Sequence, residues 1–116
     1  MVYETFVEEM VGWFPHLRAE CDPYMDENEP LSYIALGCVL NPWLETCLEM
    51  HDTPNITKIC QFLEAAAAEN DNRLDDLIGI EIGEWLSEIK EKQLLLSHLG
   101  PETKRICRYH IDRLSE

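Results

Sequence analysis

Three carboxylates, Glu81, Glu84 and Glu88, recur at i, i+3 and i+7 within the stretch from Asn72 to Ile89, NRLDDLIGIEIGEWLSEI. At about 100° per residue this spacing sets them in a row along one side of a helix, where like charges repel by a few tenths of a kcal/mol per pair unless a cation answers them. The chemistry open to such a row is capture of an arginine or lysine from a partner through charge-assisted hydrogen bonds. Glu81 differs from the other two because it falls inside the apolar arc between Leu77 and Trp85. An unpaired charge there is costly, so Glu81 needs an internal partner, such as Arg105 or Arg108 of the last helix, or a binding role.

Other acidic groups cluster nearby in sequence. Asp75 and Asp76 follow Asp71 on the same helix, and Asp22, Asp26, Glu27 and Glu29 crowd the loop DPYMDENEP. That loop lacks the central glycine and ligand spacing of a calcium-binding EF-hand. Catalytic templates fail: there is no phosphate-cradling glycine loop, no G-x-S-x-G elbow and no H-E-x-x-H helix. His16, His51, His98 and His110 lie on separate elements, and the pair Cys107 and His110 lacks a third ligand. The expectation is therefore no catalytic residue, no metal and no cofactor, with a small helical hydrolase built on Glu81 and a histidine as the enzymatic alternative.

The elements that position these groups are helices. The arc Leu74, Ile78, Ile82, Trp85 and Ile89 is a core face, and Gly79 and Gly83, four apart on another face, suit the close approach of a second helix or of a partner backbone. Tyr3 to Phe14 repeats apolar residues at helical spacing up to Pro15. Pro30 suits the first turn of a helix through Leu31, Ile34, Ala35 and Cys38. Asn41 then fits an N-cap with Pro42 at the first position of a further helix, and the sequence leaves open whether the two stretches are one kinked helix or two. A helix from Pro54 to Glu69, capped by Asp52 or Thr53, buries Ile56, Ile59, Cys60, Leu63 and Ala67. A helical stretch from Lys90 to Leu99 ends at Gly100, a suitable C′ residue, and Pro101 opens the last helix. No alternating β pattern competes. The expected fold is all-α, an irregular, mostly antiparallel bundle of six to eight short helices forming a single domain over residues 1–116.

Composition narrows the partner. The chain is 46% hydrophobic, enough for one core, and its aromatic residues are spread throughout, which excludes a disordered acidic tail. The net charge of −14 is uneven: up to Leu86, 18 acidic residues face three basic ones, giving −15, and from Ser87 onward six basic residues face five acidic ones, giving +1. A field of that sign disfavours nucleic acid and anionic membrane surfaces and steers a basic partner in. The five cysteines form no C-x-x-C pair and read as free, mostly buried thiols. The opening residues carry acids through their apolar pattern and do not form a secretory signal, and no apolar run approaches the roughly 20 residues of a membrane span. A cytoplasmic protein is expected.

The segments Trp13-Phe14-Pro15, Phe62-Leu63-Glu64, Glu69 to Asp71, Glu84-Trp85-Leu86 and Leu99-Gly100-Pro101-Glu102-Thr103-Lys104 together resemble a family of small, acidic bacterial α-helical proteins associated with toxin immunity genes. The chain departs from that pattern at Asn41-Pro42-Trp43 and in its number of cysteines, so the resemblance extends to a role and not to a toxin class. It implies a cytoplasmic immunity protein that binds a cognate toxin, often a nuclease, whose basic groove an acidic inhibitor can fill. An acidic nucleic-acid mimic that inhibits a DNA- or RNA-binding protein shares the same surface and is the alternative binding role. Glu81, Glu84, Glu88, Asp75, Asp76, Asp26, Glu27, Tyr24 and Trp43 are the candidate contact residues.

Overall fold

The computed structural model describes residues 1–25 and 31–115. Among these every regular element is helical, so the fold is all-α, and joined where they run on without a break the helices fall within the expected six to eight. α1 (Phe6–Trp13) buries Phe6, Val7, Met10 and Val11, and Pro15 ends it by starting a 3₁₀ turn that leads into α2 (Arg18–Cys21). α3 (Ser32–Ala35) passes through a wide π turn, Leu36–Leu40, directly into α4 (Asn41–Glu49). Asn41 is itself helical, with φ −60° and ψ −45°, and is not the N-cap that its Asn-Pro pair suggests. Pro42 has no backbone N–H to give to the preceding turn. The π turn loosens the ladder where that donor is missing, and the helix continues instead of breaking. The Asn41 side chain is thereby left for tertiary use.

α5 (Thr53–Ala67) begins at Asp52, whose carboxylate accepts the Asn55 N–H, and it buries Ile56, Ile59, Cys60, Phe62, Leu63, Ala66 and Ala67. The rings of Phe6, Trp13 and Phe14 pack on Phe62 at centroid distances of 5.4, 5.6 and 5.7 Å. Asn70, in the left-handed region that asparagine tolerates, turns the chain, and Asp71 caps α6 (Asn72–Ile78) by accepting the N–H groups of Arg73 and Leu74. The spacing predicts one α-helix through Ile89, but beyond Ile78 the ladder widens into a second π turn, Gly79–Gly83, then tightens into a 3₁₀ turn, Glu84–Ser87. The wide turn rotates less per residue, which keeps positions four apart in line. Leu74, Ile78, Ile82 and Leu86 are therefore fully buried, while Trp85, expected in that arc, is half-buried.

The last elements are α7 (Lys92–His98), α8 (Pro101–Ile106) and α9 (Arg108–Arg113). Gly79 and Gly83 do receive them: a Cβ at Gly79 would lie 3.6 Å from Ile106, and one at Gly83 only 2.5 Å from the His110 ring. Gly100 is extended, with φ −75° and ψ 170°, and is not the left-handed C′ residue expected after α7. It is needed for space, because a Cβ there would overlap the Glu64 carboxylate. That carboxylate reaches from α5 to cap α8, accepting the N–H groups of Glu102 (3.0 Å) and Thr103 (2.9 Å) and the Thr103 hydroxyl (2.9 Å). Burial opposes ionisation of Glu64, but the hydrogen bonds from Thr103 and Glu102 outweigh it, and its pKa lies below the ordinary carboxylate value.

Cys21, Cys47, Cys60 and Cys107 are buried free thiols, and Cys38 is an exposed one. Burial raises the pKa of Cys21 to about 11 and those of Cys60 and Cys107 to about 12, which keeps these thiols protonated and unreactive. Among the described residues no helix is long and apolar enough to cross a membrane.

Stability measurements on four variants check this arrangement. In urea unfolding, Gly79→Ala should stabilise by up to about 1 kcal/mol, the helix-propensity difference, because its methyl meets only ordinary contact. Gly83→Ala should destabilise by about 1–2 kcal/mol as the His110 ring is displaced. Glu64→Ala should cost about 2 kcal/mol at neutral pH through loss of a charged cap. Since folding lowers the Glu64 pKa, its contribution is present above the unfolded value and disappears as pH falls through the folded value. The gap between wild type and Glu64→Gln should therefore close at acid pH.

Candidate functional site

The two π turns face each other. Gly37 and Asn41 from the α3–α4 rod, with Ile80, Glu81, Glu84, Trp85 and Glu88 from the α6 rod, line an open cleft of about 200 Å³. The carboxylate row expected from spacing thus converges on one hollow. The rods are joined by the Asn41 side chain, whose Nδ2 donates to the main-chain oxygen of Glu81 at 2.9 Å. Glycine at 37 allows the approach, because a Cβ there would overlap the Glu81 carboxylate.

Neither arginine proposed as an internal partner reaches Glu81. Arg105 pairs with Glu102 at 2.7 Å within α8, and Arg108 lies 4.0 Å from Asp112 within α9. Each finds a carboxylate three or four residues along its own helix, where contact needs no further ordering of the chain. Among the described residues, no basic side chain lines the cleft. Glu81 is partly buried, and burial, with the charge of Glu84 adding to it, raises its pKa above the ordinary carboxylate value. The cleft therefore holds negative charge that the fold concentrates and does not neutralise.

A second hollow, of about 350 Å³, lies on the other side of Ile80 and is lined by Asp75, Asp76, Gly79, Ile80, Arg105, Ile106 and His110. Here Arg105 stands beside the two aspartates, so this hollow is of mixed charge. Ile80 lines both hollows and is 45% exposed, an apolar knob between them.

The remaining candidates lie elsewhere. Trp43 is half-buried against Phe14 at 5.1 Å and His16 at 4.5 Å, on the aromatic side of α4 and outside the cleft lining. Tyr24 is half-buried, and its carbonyl accepts the Leu31 N–H. Asp26 and Glu27 lie outside the described residues. Sequence reasoning missed Gly37, Ile80 and Asn41 as cleft residues. A proline immediately after Asn41 is what disguised it as a cap. Among the described residues there is no group of three or more His, Cys, Asp or Glu placed to hold a metal ion.

Glu81 carries a stability cost that its position explains. Folding raises its pKa, so the folded state loses stability as pH rises through that value, and Glu81→Gln should make the protein more stable at neutral pH. The gain should be at least the few tenths of a kcal/mol of like-charge repulsion with Glu84, and it should shrink as the solution is acidified and wild-type Glu81 takes up a proton. Urea unfolding at two pH values reads both.

The model of the family DUF7674, a domain of unknown function, fits residues 7–114. No curated protein and no solved structure matches significantly.

Proposed function

The chain belongs to the DUF7674 family, and we propose that it is a cytoplasmic immunity protein that neutralises a basic toxin domain of nuclease type by direct binding, without catalysis. One observation carries the reading: Glu81, Glu84 and Glu88 share a cleft that, among the described residues, no cation lines. The molecule keeps an arrangement that raises the pKa of one of its own carboxylates. Carboxylates perturbed in this way are found at functional sites as well as in structural networks, and here no cation of a structural network lines the cleft among the described residues.

The excess acidity of the first three quarters of the chain supplies the long-range part of the interaction. A basic partner is drawn in by complementary potential, with association reaching roughly 10⁸–10⁹ M⁻¹s⁻¹ at low salt. The cleft supplies the short-range part, since charges desolvated together at an interface fix register and slow dissociation. Ile80 adds an apolar contact at the rim. The resemblance to immunity proteins supplies the partner class, and a nuclease groove built for phosphate has the required charge.

The test is a double charge reversal. Glu84→Lys with Glu88→Lys, both exposed in the structure, should leave the helical circular dichroism unchanged and weaken capture of the cognate toxin domain by at least about 2 kcal/mol, roughly thirtyfold. Unchanged affinity in a variant that still folds would sink this face as the binding surface.

A further inference from the structure

Two large apolar side chains stand exposed where the rods cross. Ile80 is 45% exposed and lines both hollows, and Ile34, 42% exposed, lies one helical turn before Gly37 on the α3–α4 rod. Half-buried rings adjoin them. Trp85 lines the cleft, and the Tyr33 hydroxyl, whose pKa is raised by burial with Tyr3 and the charges of Asp76 and Glu81 adding to it, sits within reach of both carboxylates. Along the α6 rod Ile80 is the middle of a row, Asp76, Ile80 and Glu84, spaced four apart and all exposed, because the wide turn keeps such positions in line. That face reads acid, apolar, acid. A lone exposed isoleucine needs no explanation. This one is bracketed by carboxylates on its own face and stands as a knob between two hollows.

From this we propose that the exposed face of the α6 rod from Asp76 to Glu84 docks an amphipathic helix of the partner, with an apolar residue packed on Ile80 and a basic residue one turn to either side meeting Asp76 and Glu84. The inference rests on the partner-binding reading above and names the segment of the partner that is taken. Charge complementarity sets the sign: Asp75, Asp76, Glu81, Glu84 and Glu88 line the hollows around Ile80, and the one arginine there, Arg105, is already bonded to Glu102. The main chain selects the conformation. Among the described residues every regular element is helical, so this face offers no strand edge, and an extended segment would lay its N–H and C=O groups against it unpaired. A helix satisfies its own main chain. Its side chains also recur every three or four residues, the interval of the Asp76, Ile80 and Glu84 row, so residues flanking its apolar contact enter the hollows on either side of Ile80.

The probe is a stapled, alanine-based helix of about four turns that carries arginine, leucine and arginine four positions apart on one face. Two controls carry the same charge: one moves the leucine to the opposite face, and the other keeps the order but replaces alanines by proline, without the staple, so that it cannot form a helix. Each is titrated into the full chain and followed by NMR at the Ile80 methyl groups and the Trp85 indole N–H. The patterned helix should shift both signals saturably, with a dissociation constant on the order of 100 μM, and both controls should bind at least about tenfold more weakly. Ile80→Ser, which keeps every charge and changes an exposed position with little effect on helix propensity, should erase the preference for the patterned helix over the one with the displaced leucine. Equal binding of either control, or no saturable shift with the patterned helix, overturns the proposal. Self-association that Ile80→Ser abolishes, read by sedimentation, puts a second copy of the chain on this face and overturns it too. If the peptides fail in this way while the double charge reversal still weakens toxin capture, the docked helix is wrong and the binding face stands. Preference for the patterned helix with toxin capture untouched by the reversal retains the docking face and removes the proposed toxin.

Discussion

One side-chain hydrogen bond ties the acidic cleft together. The Asn41 amide crosses from the α3–α4 rod to the main-chain oxygen of Glu81, and it can do so only because both helices depart from regular α geometry at the crossing. The π turn before Asn41 accommodates a proline in mid-helix, and the π turn at Gly79–Gly83 changes the phase of the helix that carries the carboxylates. With Gly37 leaving room for the Glu81 carboxylate, the two rods meet closely enough to form a hollow instead of a packed seam. Such single wide turns recur at functional positions because they re-aim side chains without ending the helix.

The rest of the fold supplies a rigid frame for that crossing. α5 holds the aromatic core through Phe62 on one side and caps α8 through Glu64 on the other. α8 and α9 in turn pack Ile106 and His110 against the glycines of the carboxylate-bearing helix. The carboxylate row is therefore fixed from behind by apolar contact and from the side by one amide, while its own face is left to solvent. The cost of holding Glu81 partly buried among like charges is met by a core of large, fully buried side chains. Under the proposed function, such a hollow would receive a cation without having to close around it.

Several structural features were legible in the residues alone. Apolar spacing located the helices, Asp52 or Thr53 was legible as the cap of α5, and the four-residue separation of Gly79 and Gly83 announced the close approach of another backbone. The row Glu81, Glu84 and Glu88 was also legible, because residues three and four apart share a face even when the turn is somewhat wider or tighter than ideal. These are local properties, decided by the backbone's period and by which side chains water excludes.

Pairing between distant residues was not legible. Nothing local to Asn41 distinguishes an N-cap from a helical residue bonded forty positions away, since both uses begin with the same Asn-Pro. The apparent match of Arg105 or Arg108 to Glu81 failed because each arginine found a carboxylate within one turn of its own helix. Gly100 looked like a helix terminator and proved to be a gap for Glu64. By itself the sequence determined an all-α chain with an acidic, two-faced helix, because periodicity and charge are written residue by residue. Only the tertiary structure decided that three of its carboxylates would share a hollow with a buried amide, because that depends on how two wide turns meet in space.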